Sequence, residues 1–131
     1  MTLLFGVLLC AGCAGHSAAD EVDYTALVKT VDASTIRQWM AEGRTFSIVD
    51  VRSTGEYEND GHVPAVDLHP YSLHNRDPMR NEAFVEEMEV AFDPDDTIVL
   101  ICSHAMRASQ AAHDLQRKAG FTNVYVFPGG Y

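Results

Sequence analysis

Basic residues are scarce in this chain of 131 residues, in which 9 Lys and Arg stand against 19 Asp and Glu, for a formal net charge of −10. A surface this acidic argues against a protein that binds the phosphate backbone of a nucleic acid. No apolar run reaches about 18 residues, which excludes an ordinary transmembrane helix. The 9 Gly and 5 Pro are too few for a collagen-like or low-complexity chain. The hydrophobic content of 47% is enough to build the core of one ordinary domain.

Charged residues are also missing from the start of the chain, where none precedes Asp20. Residues 1–13 are apolar and end in Ala11-Gly12-Cys13, which resembles the core and cleavage site of an export signal. A Cys after Ala-Gly also resembles the lipobox of bacterial lipoproteins, in which the signal is cut before a lipid-bearing Cys. We therefore expect a signal peptide over residues 1–12, a lipid anchor on Cys13 and a tether over residues 13–27. The protein would then be exported to the cell envelope or periplasm and would touch a membrane only through that lipid. Simple secretion, or an ordinary N-terminal helix of the domain, is the alternative.

From residue 28 onward, short apolar runs alternate with segments of helical periodicity. The runs at 46–51, 97–101 and 124–127 are typical of strands covered on both faces. The segments at 81–92 and 108–119 repeat their apolar residues at helical spacing. This alternation predicts a single α/β domain over residues 28–131, with three layers and a central, mostly parallel sheet flanked by helices. An earlier helix is expected to bury Ile36, Trp39 and Met40 on one face.

The most informative junction follows the strand at 97–101, where Cys102-Ser103-His104-Ala105-Met106-Arg107 leads into a helix. Ligands of open α/β sheets bind beyond the carboxyl ends of the strands, and a loop that enters a helix there directs several N–H groups at one point. Such a position stabilises a thiolate. We therefore predict that Cys102 is a nucleophile facing a cradle for an anion, with Arg107 folded back to hold an anionic group of the substrate. An inert cysteine in the core is the alternative.

Other polar residues receive structural interpretations. Asp50 and Arg52 stand at a strand end near the predicted site and are expected to form an ion pair or to anchor a loop. His62 is expected to stabilise a turn, and His104 to line the pocket at most. Asp67, His69 and His74 match no standard metal-ligand spacing, so no metal site is predicted.

Four motifs occur in the same order as in a known family, over about residues 30–131. Residues 47–53 resemble the family's strand ending in Asp-Val-Arg, and residues 56–66 resemble its Glu-Tyr…Gly-His-Ile-Pro-Gly-Ala segment. Residues 98–109, with Cys102, Arg107 and Ser109, are similar to its active-site loop. Residues 119–125 and Gly129-Gly130 are similar to its closing strand and turn. On these motifs the chain resembles single-domain rhodanese-homology sulfurtransferases.

The resemblance implies a mechanism. Cys102 would take the outer sulfur of thiosulfate or a related donor as a persulfide, which the backbone amides of residues 103–107 would hold. Cyanide or a thiol would then accept the sulfur, without a metal or an organic cofactor. The six residues from Cys102 to Arg107 match the family's sulfur-transferring members, whereas the related phosphatases have one residue more. Phosphatase or arsenate reductase chemistry therefore ranks low, and the main alternative is a rhodanese-like binding or sulfur-delivery module without turnover.

The chain departs from the family at several positions. Ala105 stands where the family often has Gly and would cost about 1 kcal/mol if its φ were positive. Ala65 also replaces a Gly, and this change is expected to be harmless. Ser103 replaces a common basic residue, which bears on the choice of donor. The family's final helix has no counterpart before Tyr131, so we expect apolar sheet surface to be exposed.

Overall fold

The computed structural model describes residues 22–73 and 80–129. The predicted signal peptide, Cys13, most of the predicted tether and His74 lie outside these residues. In the described part of the chain, no helix combines the length and the apolar character needed to cross a membrane. A 3-10 turn at Tyr24–Leu27 falls within the segment 13–27, and the Tyr24 ring meets the His113 ring edge-on with centroids 5.1 Å apart.

Strands and helices alternate through the described residues. The strands are β1 (Lys29–Thr30), β2 (Ser47–Asp50), β3 (Asp67–Leu68), β4 (Ile98–Ile101) and β5 (Val124–Val126). The helices are α1 (Ala33–Ala41), α2 (Thr54–Asn59), α3 (Phe84–Ala91) and α4 (Met106–Ala119). The strands form one sheet in the order β1-β5-β4-β2-β3, and each neighbouring pair is parallel. The predicted α/β fold, with a central parallel sheet flanked by helices, is therefore confirmed.

The central strand β4 is buried on both faces, which explains its nearly continuous apolar sequence. Ile98 and Leu100 belong to the core cluster that contains the buried residues of α3 and α4. Val99 and Ile101 belong to the cluster on the opposite face, which contains Trp39 of α1. Successive side chains of a strand point to opposite faces. The sheet therefore lies between α1 on one side and α3 and α4 on the other.

Helix α1 differs from its prediction at one residue. Trp39 is buried and packs edge-on against the rings of Phe46 and Tyr125, with centroids 5.5 and 5.2 Å apart. Met40, expected on the same face, is 66% exposed, so that prediction is wrong. The indole and its two aromatic neighbours fill the layer between this helix and the sheet, which leaves the adjacent Met40 toward solvent.

An open groove of about 240 Å³ lies on the α1 face of the sheet. It is apolar apart from one exposed cation, and its lining residues are Ala33, Ile36, Arg37, Ile48, Val63, Ile101 and Phe127. Ile101 is the last residue of β4, so the groove lies on the face of the sheet opposite to the one that Cys102 joins.

Candidate active site

Cys102 stands at the carboxyl edge of the sheet, between the end of β4 and the start of α4. It is a free thiol, and its Sγ accepts a hydrogen bond from the backbone N–H of Ala108 at 3.4 Å. The first N–H groups of an α-helix have no acceptor within the helix, and the helix dipole adds positive potential there. The sulfur therefore lies beside a backbone N–H in the first turn of α4. The amide that reaches it, however, belongs to Ala108 and was not among those predicted.

The thiol is also enclosed. Cys102 is 1% exposed and belongs to the core cluster on the α3 and α4 side of the sheet. The sequence left open a nucleophile and a core cysteine, and the residue has features of both. Its side chain is buried as in a core, while its sulfur contacts an amide in the first turn of a helix. The sulfur is therefore shielded from solvent.

A left-handed residue shapes this loop. Ala105, the N-cap of α4, has φ 62 and ψ −21. Both the N–H and the Oγ–H of Ser109 donate to the Ala105 carbonyl at 2.8 Å, which holds this conformation in place. The turn brings the N–H of Met106 to the His104 carbonyl at 2.8 Å. The Met106 N–H is therefore bonded within the loop and is not available to a bound anion. The prediction that the amides of residues 103–107 all face the sulfur is wrong at Met106.

Arg107 does not point into open space beside the cysteine. Its Nη1 and Nη2 donate to Oε2 and Oε1 of Glu56 at 2.6 and 2.7 Å, as a bidentate ion pair. Nη2 also donates to Ser103 Oγ at 3.1 Å, and that hydroxyl donates to Glu56 Oε1 at 3.1 Å. The prediction that Arg107 folds back to hold a substrate anion differs from this geometry, because a carboxylate of the chain already occupies the guanidinium. His104 and Met106 are exposed at the loop surface.

Glu56 is the residue that sequence reasoning missed. Its carboxylate completes a capping box at the start of α2, where Ser53 donates to Oε2 through its N–H at 3.1 Å and its hydroxyl at 2.9 Å. Hydrogen bonds from Arg107 lower the pKa of Glu56 from 4.5 to about 2, and the same contact raises the pKa of Arg107. The Ser-x-x-Glu spacing was a visible signal for the cap. The partner of Glu56 lies 51 residues away and left no local signal.

The predicted ion pair between Asp50 and Arg52 is present. The two side chains are fully buried, with Nη2 of Arg52 at 2.7 Å from Oδ2 of Asp50. Nη2 also donates to the Gly61 carbonyl at 2.8 Å, so the pair anchors the loop that follows α2. Beyond this point, His62 stacks on the Tyr57 ring with centroids 3.8 Å apart, and its Nδ1 lies 3.1 Å from the Tyr57 carbonyl oxygen.

Ala65 is a second left-handed residue, with φ 61. The expectation that Ala would be harmless at this position is wrong, because a Cβ is disfavoured at positive φ. Ala65 and Ala105 are the two non-glycine residues with positive φ among the residues that the structure describes.

Comparison with known proteins places these features in context. Residues 32–131 match the family model of the rhodanese-like domain. The chain is 29% identical over 112 residues to MoeZ of Mycobacterium tuberculosis, a probable adenylyltransferase/sulfurtransferase, and covers 26% of that protein with 86% of its own length. It thus spans about a quarter of the curated relatives that it matches.

Two solved structures share the fold. The rhodanese-like domain of an Anabaena protein is 27% identical with a TM-score of 0.59, and the match covers 77% of this chain and 68% of that one. The human single-domain sulfurtransferase TSTD1 is 26% identical with a TM-score of 0.53, and the match covers 78% of this chain and 90% of that one.

Proposed function

We propose that this chain, which belongs to the rhodanese-like domain family, is a sulfurtransferase that carries sulfur as a persulfide on Cys102. It would take sulfane sulfur from thiosulfate or a related donor and pass it to cyanide or to a thiol. The observation that carries the proposal is the hydrogen bond from the Ala108 N–H, at the start of α4, to the free Sγ of Cys102. Sulfurtransferases among the matched proteins support the same chemistry.

The transfer takes place in two steps. The Cys102 thiolate attacks the outer sulfur of the donor, so that an Sγ–S bond forms while the S–S bond of the donor breaks. The leaving group departs with the electron pair, as sulfite when the donor is thiosulfate. The acceptor then attacks the terminal sulfur, and Sγ departs as the thiolate with which the cycle began. Electrons and charge balance within each step, so no external oxidant or reductant is needed.

The surroundings of Cys102 favour this cycle. In this cycle negative charge resides on Sγ before the first step and on the terminal sulfur after it, and the Ala108 N–H at the start of α4 lies within hydrogen-bond distance of Sγ. Burial of Cys102 keeps large thiols away from a persulfide, which they otherwise reduce by taking its terminal sulfur. The contacts of Arg107 with Glu56 and Ser103 hold the loop in one shape. The role of Arg107 in this cycle is to position the loop.

The experiment measures thiocyanate formation from thiosulfate and cyanide by the full chain. Cys102→Ala is expected to reduce the rate to the uncatalysed background. Cys13→Ala, the matched control, replaces a cysteine outside the loop and is expected to retain the rate. Double-reciprocal plots at several cyanide concentrations should be parallel, because donor and acceptor react in separate steps. A folded Cys102→Ala protein that kept its activity would refute the proposal.

A second candidate is a binding or sulfur-delivery module with little turnover, and the 1% exposure of Cys102 favours it. Such a module acquires at most one sulfur atom per chain and releases it only to a particular partner. Stoichiometric loading of Cys102 without steady-state thiocyanate formation, across several sulfane donors, would select this candidate over the catalytic one.

We further propose that the chain is exported and anchored by a lipid on Cys13, on the strength of the sequence pattern of residues 1–13. The mass of the native protein extracted from membranes tests this proposal. A chain that begins at Cys13 and carries acyl groups supports it, and a chain that retains residues 1–12 contradicts it.

A further inference from the structure

The loop that holds Cys102 has no Lys or Arg side chain without a carboxylate partner. Arg107 is the one Lys or Arg in residues 102–107, and both of its terminal nitrogens bind the Glu56 carboxylate. The hydroxyl of Ser103 bridges the two partners. Opposite charges less than 3 Å apart largely cancel at the distance of a third group, so the pair offers an approaching anion little attraction.

The neighbouring basic residue is neutralised in the same way. Arg52 follows β2, the strand beside β4, and its guanidinium forms the buried ion pair with Asp50. The chain as a whole carries a formal charge of −10, so the field outside the site is unfavourable to anions. The contact that favours negative charge on the sulfur is therefore local, and consists of the Ala108 N–H, which donates to Cys102 Sγ at 3.4 Å.

We infer that the sulfur donor of this site carries a single negative charge, as a persulfide or a thiosulfonate does, and that the thiosulfate dianion is the poorer donor. This inference rests on the proposed function of Cys102. It concerns the donor alone and leaves the acceptor open.

The charge balance of the first step gives the reason. Attack of the Cys102 thiolate on thiosulfate brings three negative charges together, of which sulfite carries two away and the new persulfide keeps one. Attack on a thiosulfonate brings two together, since the sulfinate leaves with one charge and the persulfide keeps the other. A persulfide anion reacts likewise, with a thiolate as the leaving group. The Ala108 N–H at Cys102 favours charge on the sulfur, whereas the extra charge of thiosulfate lies on its sulfonate oxygens and meets no unpaired Lys or Arg of the loop.

Thiosulfate and methanethiosulfonate are a matched pair of probes, because a methyl group in one replaces a charged oxygen of the other and the transferred sulfur is the same. The experiment measures kcat/KM for the loading of Cys102 with sulfur from each donor. Each value is divided by the second-order rate constant of the same donor with a small free thiol, which corrects for the donor's intrinsic reactivity. It uses mildly alkaline pH, where histidine side chains carry little charge. The wild-type chain is expected to favour methanethiosulfonate by about tenfold or more, since one extra charge near a protein surface is worth at least that factor. Hydroxyethyl persulfide is the third donor and represents the persulfides. Its normalised kcat/KM should exceed that of thiosulfate by a similar factor.

Two variants test the electrostatic cause. Glu56→Gln leaves the Arg107 guanidinium without its counter-charge, and the preference should shift toward thiosulfate by about tenfold. Ser103→Arg adds a cation while Glu56 stays in place, and the same shift is expected even if Glu56→Gln folds poorly. Ser103→Gln removes the same hydroxyl bridge as Ser103→Arg but adds no charge, so it is the matched control and should keep the wild-type preference between donors.

The outcomes separate the two proposals. Loading of Cys102 with a normalised preference for thiosulfate, or a preference that neither charge variant changes, overturns the donor inference and leaves the proposed function standing. Failure of all three donors to load the folded wild-type chain refutes the proposed function itself.

Discussion

Replacing Ala105 by Gly is expected to stabilise the domain, although the change removes a methyl group that packs against the core. The reason is the backbone of this residue, which has φ 62 and is held there by two hydrogen bonds from Ser109. Gly adopts this region without the clash between Cβ and the carbonyl oxygen. Ala65, at φ 61, presents the same opportunity on a different loop.

The magnitude follows from two opposing terms. The left-handed region costs an L-residue about 1–2 kcal/mol. Against this gain, Gly lowers the free energy of unfolding by about 0.4–1 kcal/mol, because it increases the conformational entropy of the unfolded chain. The net gain in the free energy of unfolding is therefore about 0.5–1 kcal/mol for Ala65→Gly, and it is smaller for Ala105→Gly because the partly buried methyl group is lost. With an m-value of about 2 kcal/mol/M, the urea midpoint rises by about 0.4 M.

Equilibrium urea unfolding of the full chain, followed by circular dichroism, measures this gain. Gly120→Ala is the matched control in the opposite direction, because Gly120 has φ 68 and an added Cβ meets no heavy atom within 4 Å. It should lower the free energy of unfolding by about 1 kcal/mol through the backbone term alone. The reasoning is refuted if Ala65→Gly and Ala105→Gly both leave the midpoint unchanged or lower it while Gly120→Ala destabilises the protein.

Three further predictions concern buried polar groups. The pKa of Glu56 is about 2 in the folded state and 4.5 ordinarily, so its contribution to stability is present above pH 4.5 and lost as the pH falls toward 2. In chemical denaturation, the stability of Glu56→Gln should therefore fall less than that of the wild type between pH 4.5 and 2. Asp50→Asn should lower the free energy of unfolding by about 3–5 kcal/mol in chemical denaturation, because it breaks the buried pair with Arg52 from one side. Tyr71→Phe removes the 2.9 Å hydrogen bond to Asp114 and should cost about 1–2 kcal/mol. Burial raises the pKa of Tyr71, so wild-type stability should fall above pH 10 and that of the variant less, in thermal melts.

The fold was predictable because its signals are local. Helix α2, for example, begins after Ser53, whose side chain forms a capping box with Glu56 three residues later. The all-apolar run of β4 placed this strand at the centre of the sheet. Met40 was wrongly predicted to be buried, because helical periodicity gives the direction of the apolar face of α1 but not its width. The contacts of Trp39 with Phe46 and Tyr125 determine which neighbouring side chains are buried.

The site was predictable in position but not in its contacts. The junction of strand and helix located Cys102 beside amides, whereas its enclosure depends on the packing of α3 and α4 around it. Arg107 and Glu56 are paired although they lie 51 positions apart in the sequence. The residues around each of them do not indicate which partner it has. A basic residue at the end of such a loop is equally compatible with a substrate anion and with a carboxylate of the chain itself.

The mass of the intact full chain after incubation with a sulfane donor and removal of the excess tests the central claim most directly. The account predicts a gain of one sulfur atom that cyanide removes and that Cys102→Ala lacks, although Cys10 and Cys13 remain in that variant. A gain that persists in Cys102→Ala would contradict it. So would an unchanged mass of the folded wild-type chain after thiosulfate, methanethiosulfonate and hydroxyethyl persulfide.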